Sequence, residues 1–236
     1  DILAVKKALI TGLNATAENI LICGKSGIVL QEELWGAIDR LARLSEGEDV
    51  VFFYFSGHGA FNRSEHFLVM SDGPVPTQTV IEKVDAINAK SKIMVLDTCM
   101  AGSFKLDMEN DKLFDRTIKS SASKGLAILA SCSCEQLSRF SLERPISLFT
   151  EFFCSAVENN TLTRRGRKTW HDIQQLTSLY LHNWSSRHTS IEQTPIFRSC
   201  MIGTIYFDVA DYIPYYRGAI FEENADYVIY SAEPSH

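Results

Sequence analysis

His58 and Cys99 are the two side chains of this sequence best placed to do chemistry together. Each closes an apolar run of strand type: Val50–Gly59 reads VVFFYFSGHG, and Lys92–Ser103 reads KIMVLDTCMAGS. A thiol reacts as its thiolate, and a neighbouring imidazole can hold the ion pair or accept the proton. Gly57 and Gly59 permit a sharp turn around His58 and a close approach of substrate backbone. Asp97-Thr98-Cys99 follows where the second strand's carboxyl end should emerge, the edge at which ligands collect in open α/β sheets. The backbone N–H groups of Gly59 and Cys99 are natural donors to an oxyanion. The chemistry this pattern suits is attack by a thiol on a peptide carbonyl.

Taken singly, either residue has a plainer explanation. A buried cysteine is ordinarily a small hydrophobe, and a histidine is ordinarily a core or surface residue. The matched strand–turn contexts are what join them. Histidines 66, 171, 182, 188 and 236 lack a glycine-flanked turn at a strand end, and cysteines 23, 132, 134, 154 and 200 lack the Asp-x-Cys-x-x-Gly setting.

The elements that must position the pair alternate between apolar runs and helical patterns. That alternation predicts an α/β fold: a mostly parallel sheet flanked by helices. Strands are expected at Asn19–Cys23, Val50–Phe55, His66–Met70, Lys92–Leu96, Gly125–Ser131 and Met201–Phe207. Helices are expected at Ile2–Leu13, Gln31–Ser45, Thr77–Ala89, Ser147–Glu158 and Thr169–His182. Leu34, Ile38, Leu41 and Leu44 recur at helical spacing and mark one buried face. Val50–Phe55 is uniformly apolar and is expected to be central, covered on both faces. Ser103–Lys124 and Asn159–Lys168 (NNTLTRRGRK) read as exposed loops. Residues 1–207 form the expected domain. The tyrosine-rich stretch 208–236 is either an edge hairpin of it or the start of another module. The sequence opens inside a helix, whereas a doubly wound sheet normally starts with a strand, so a first strand is expected upstream.

Composition narrows the class. A chain of 236 residues can bury a full core, and 45% hydrophobic with 22% charged residues is globular and not disordered. A net charge of −6 argues against nucleic acid as the main partner. It is compatible with basic peptide substrates, though a solvated surface explains it equally well. No apolar run approaches bilayer length, so no membrane partner is expected. The six scattered cysteines read as reduced thiols of an intracellular, cytoplasmic protein. Cys132-Ser-Cys134 has no second pair at zinc spacing, and no metal is expected. Lys25 in GKSG does not make a phosphate loop, because Asn19 stands where that loop needs glycine.

Tyr54-Phe-Ser-Gly-His-Gly59 and Leu96-Asp-Thr-Cys-Met-Ala-Gly-Ser103 resemble the histidine and cysteine motifs of caspase-like peptidases. The branch they most resemble is that of metacaspases and bacterial caspase homologues (orthocaspases). Gly125–Ser138 is similar to the strand and substrate loop after the nucleophile. Phe149-Thr150 and Gln193-Thr-Pro195 are similar to a helix start and a Q-T-P turn of such domains. The resemblance implies a three-layer αβα sandwich of caspase-haemoglobinase type and a His58/Cys99 dyad without an obligatory third member. It further implies that Asp97 and Ser56 line the first substrate pocket, so that cleavage follows Arg or Lys. The plain alternative for Asp97 is a cap on the following turn. Met100-Ala101 departs from the usual His-Ser of metacaspases, and the family's first strand, which shapes the pocket, has no counterpart here.

No cofactor is obligatory under this resemblance. Some relatives are activated by calcium through acidic loops, and Asp72, Asp107, Glu109 and Asp111 are the candidates, unless they are simply solvated. Basic residues in the two loops (Lys105, Lys112, Arg116, Lys119, Lys124; Arg164, Arg165, Arg167, Lys168) are candidate sites of self-processing. The expected partners are a protein or peptide substrate with a basic residue before the cut, and a regulatory protein. Two other readings stay open: a catalytically silent scaffold with this fold, and a separase-like protease domain specific for one protein.

Overall fold

A computed structural model describes residues 1–62, 65–100, 125–131, 145–163, 166–188, 193–201, 203–209, 216–220 and 229–232, with Cys99, Met100 and the last two segments as backbone. In chain order the elements are α1 (Ile2–Leu13), a 3₁₀ turn (Ala17–Asn19), α2 (Gln31–Leu44), β1 (Val50–Phe61), β2 (His66–Met70), β3 (Gly73–Pro76), α3 (Thr77–Asp85) and β4 (Ser91–Met100). They continue with β5 (Leu126–Ala130), α4 (Leu148–Glu158), β6 (Arg167–Thr169), α5 (Trp170–Arg187), β7 (Ile196–Ser199), β8 (Tyr206–Asp208), β9 (Tyr216–Ile220) and β10 (Ile229–Ala232).

The principal sheet has six strands in the order β3-β2-β1-β4-β5-β7. Its centre, β1-β4-β5, is parallel, and the outer strands β2, β3 and β7 run antiparallel to their neighbours. Alternation along the central strands feeds two cores. Ile93, Val95, Ala127 and Leu129 pack with Phe149, Phe153, Trp170 and Ile173 of α4 and α5, and with Val5 and Ala8 of α1. Met94, Leu96, Ile128 and Ala130 pack on the other face with Leu34, Ile38, Val80, Ile81 and Val84 of α2 and α3. Successive strand side chains point to opposite faces, so a strand buried on both sides must be apolar throughout. This is the expected three-layer αβα sandwich.

α1 and α4 cross so closely that a Cβ on Gly12 would lie 2.3 Å from the carbonyl oxygen of Val157. Lys168 completes the junction. It is fully buried, and its Nζ donates to the carbonyls of Gly12 (3.4 Å) and Val157. One amine thus serves the carbonyl-rich ends of two helices. Burial pushes its pKa down to about 8.

Several expectations are corrected. Asn19–Cys23 is not a strand: residues 20–24 have no regular structure, because an apolar run needs a partner strand to become one. Met201–Phe207 is not one strand either. Gly203, at φ 89°, turns the chain between β7 and β8. β3 was not anticipated, since Pro74 and Pro76 argue against a strand; it lies at the sheet edge, where proline is tolerated. Asn159–Lys168 is not wholly an exposed loop, because Lys168 is buried within β6. Leu44 is 59% exposed, so the apolar stripe of α2 ends at Leu41. α3 stops at Asp85, and α5 runs on to Arg187. β9 and β10 pair with each other in a two-stranded sheet of their own. Cys132, Cys134, Asp107, Glu109, Asp111, Lys105, Lys112, Arg116, Lys119, Lys124, Arg164 and Arg165 lie outside the described residues.

Candidate active site

The site is built by the register of two strands. β1 and β4 pair in parallel without interruption from Val50↔Ser91 to Gly59↔Met100, which makes Ser56↔Asp97 and His58↔Cys99 partners. Two residues on neighbouring strands could sit at any offset. Here the histidine and the cysteine occupy the same rung, at the carboxyl ends of both strands. His58 is exposed and Gly59 is buried. Gly57 leaves room for its neighbour: a Cβ there would lie 2.8 Å from the ring of Phe55, which would have to shift.

Beneath this rung lies a buried polar chain. Asp97 is 3% exposed, and its Oδ2 accepts the hydroxyl proton of Thr150 at 2.6 Å. The oxygen of Thr150 lies 2.6 Å from the phenolic oxygen of Tyr54. Burial first, and the nearby Asp97 charge second, hold the Tyr54 pKa well above its ordinary value, so the phenol keeps its proton. Thr150 belongs to the first turn of α4, whose N-cap Ser147 accepts the Thr150 N–H. A carboxylate beside a helix N-terminus is electrostatically favoured.

Ser56 stands on the same rung as Asp97, and its hydroxyl donates to Asp1 Oδ2 at 2.6 Å. The other oxygen of Asp1 accepts the N–H of Ser147 at 2.8 Å. The structure therefore brings His58, Gly59, Ser56 and Asp97 together with the backbone of Cys99 at one sheet edge.

Two contributors were not assigned roles by the sequence. Thr150 is one; nothing but its place in the first turn of a helix sets it apart from other threonines. Gln193 is the other. It is 2% exposed, and its amide donates to the carbonyl of Ser131 at 3.0 Å, fixing the end of β5 beside the site. Asp72, the one calcium candidate within the described residues, accepts the Gln31 N–H at the start of α2. Among the described residues no group of three or more His, Cys, Asp or Glu is arranged to hold a metal ion.

The sequence profile of the caspase domain matches residues 27–206. The chain belongs to the caspase-domain family. That family is one of cysteine peptidases, and the caspase domain here has its three-layer α/β fold around a six-stranded sheet. Proteins with this domain act on protein substrates. No curated protein matches the chain. Among solved structures, a Geobacter sulfurreducens protein determined as a structural-genomics target is 15% identical, with 73% of this chain and 74% of that one covered and a TM-score of 0.49. No helix among the described residues of this caspase domain is long and apolar enough to cross a membrane.

Proposed function

We propose that this caspase domain is a cytoplasmic cysteine endopeptidase of metacaspase type that cuts after Arg or Lys. The observation that carries the reading is the shared rung of His58 and Cys99 on adjacent parallel strands. In the cycle, the Cys99 thiolate attacks the scissile carbonyl carbon, and the N–H groups of Gly59 and Cys99 receive the charge on oxygen. The C–N bond breaks as protonated His58 gives its proton to the leaving amine. Water then hydrolyses the thioester and restores the thiol.

Asp97 supplies the preference for a basic side chain, with Ser56 beside it. A buried carboxylate that already accepts a hydroxyl is a strong partner for guanidinium or ammonium. Activity is controlled by a protein partner or by cleavage within the enzyme's own basic segments.

The test is hydrolysis of fluorogenic peptides ending in Arg, Lys or Asp, with and without calcium, by wild type and Cys99→Ala. Turnover of the basic peptides alone, lost in Cys99→Ala, is the expected result. Cleavage of the Asp peptide alone would keep the dyad and overturn the assigned specificity. A calcium requirement would assign the acidic side chains a role that no grouping of described residues suggests. Identical fragment masses for wild type and Cys99→Ala would remove self-processing.

A further inference from the structure

We propose that Thr150 and Tyr54 form a directional hydrogen-bond relay that sets the Asp97 carboxylate for substrate, making Thr150 a specificity-determining positioning residue. This rests on the reading of Asp97 as the acceptor of a basic side chain. The direction follows from proton counting. A threonine hydroxyl has one proton, and that of Thr150 is given to Asp97 Oδ2. At 2.6 Å from Tyr54, the Thr150 oxygen must then accept, and the phenol must donate. The order is Tyr54 O–H to Thr150, and Thr150 O–H to Asp97.

The relay joins three separate elements. Tyr54 lies on the strand that delivers His58, Asp97 on the strand that delivers Cys99, and Thr150 in the first turn of α4. Thr150 is fully buried, so water does not replace its hydroxyl when that is removed. A buried carboxylate that loses a donor is held less firmly in position, and that weakens its grip on a cation. Asp97 lies two residues before Cys99, and Tyr54 and Ser56 stand on successive same-face positions of β1. The relay therefore acts on the wall of the site and leaves the reacting atoms alone.

The experiment compares Thr150→Val, Thr150→Ser and Tyr54→Phe with wild type and Asp97→Asn on Arg and Lys peptides, alongside thermal unfolding. For Thr150→Val, kcat/KM should fall about tenfold, the loss expected for one charge-assisted hydrogen bond, and KM should carry most of it. Thr150→Ser should return KM to within about twofold, because the hydroxyl is restored. Tyr54→Phe should raise KM less than Thr150→Val, since its hydroxyl reaches Asp97 through threonine. It also reads the relay independently should Thr150→Val fold poorly. An unchanged KM in both Thr150→Val and Tyr54→Phe, with Asp97→Asn abolishing the basic preference, would overturn the relay alone. A basic preference that survives Asp97→Asn would instead overturn the pocket reading beneath it.

Discussion

β1 and β4 look alike as sequences and differ as structures. Both are apolar strands, expected from sequence to end in a turn. Instead each runs on through its candidate residue, His58 or Cys99, and the two pair in register from Val50↔Ser91 to Gly59↔Met100. Yet residues 91–98 of β4 are buried without exception, whereas Phe52, Phe53, Tyr54 and Phe55 of β1 are only partly buried. Both faces of β1 are covered as expected: Phe52 and Tyr54 pack on one core, Phe53 and Phe55 on the other. The difference lies at the edges. β4 has β1 on one side and β5 on the other. β2 pairs with β1 only from Gly59 to Phe61, so among the described residues the Val50–Gly57 stretch is paired on the β4 side alone. Composition decides which faces a strand can bury, while the neighbours beside it decide how completely they are buried.

The largest effect should erase the difference between the strands. Cys99→Ala and His58→Ala should each reduce kcat/KM by at least about 10³-fold, and the double variant should lose no more than either single one. A double variant much worse than both would mean that the two residues act independently.

Next in size is a stability contrast on one rung, since Phe53 pairs with Met94. Met94→Ala empties a fully buried site and should cost about 3 kcal/mol in urea unfolding. Phe53→Ala removes a larger but partly exposed group, and should cost about 2 kcal/mol or less, below the range for a fully buried phenylalanine. Equal or greater cost at Phe53 would show that β1 is as enclosed as β4.

The last effect, absent at neutral pH and growing only in acid, probes the far end of β1, where Phe61 pairs with His66. His66 is 1% exposed, its Nδ1 lies 2.7 Å from the Thr77 hydroxyl, and its ring meets that of Phe61. Burial pushes its pKa down to about 3. Because the unfolded chain then binds the proton more readily, its contribution is complete above about pH 6.5 and fades as pH falls toward 3. By pH 5 the loss should reach about 2 kcal/mol. His66→Gln should flatten that part of the stability curve; a curve as steep as wild type would assign the acid sensitivity elsewhere.

Much of the candidate site could be proposed from sequence because its signals are local. Glycines around a histidine, and an aspartate two residues before a cysteine, sit inside single short windows. The shared rung of His58 and Cys99 is not local, and no window of sequence contains it. Lys168 shows the limit most clearly. Within NNTLTRRGRK it is one more cation, and what buries it are carbonyls of two distant helices. Thr150 was missed for the same reason, since its partners Asp97 and Tyr54 come from two other elements. Asn19–Cys23 failed in the opposite sense: its apolar character is local, and the partner that would make it a strand is not.

The position of α1 has a consequence for the order of events in folding. Asp1 meets Ser147 across 146 positions, Thr11 meets Glu158 across 147, Gly12 meets Lys168 across 156, and Asn14 meets the carbonyl of Asp208 across 194. A helix synthesised early therefore finds its resting place among segments synthesised 146 to 194 residues later. Until the ribosome has released the chain past β8, the surface on which α1 comes to rest is incomplete, so its docking belongs to the late events of folding.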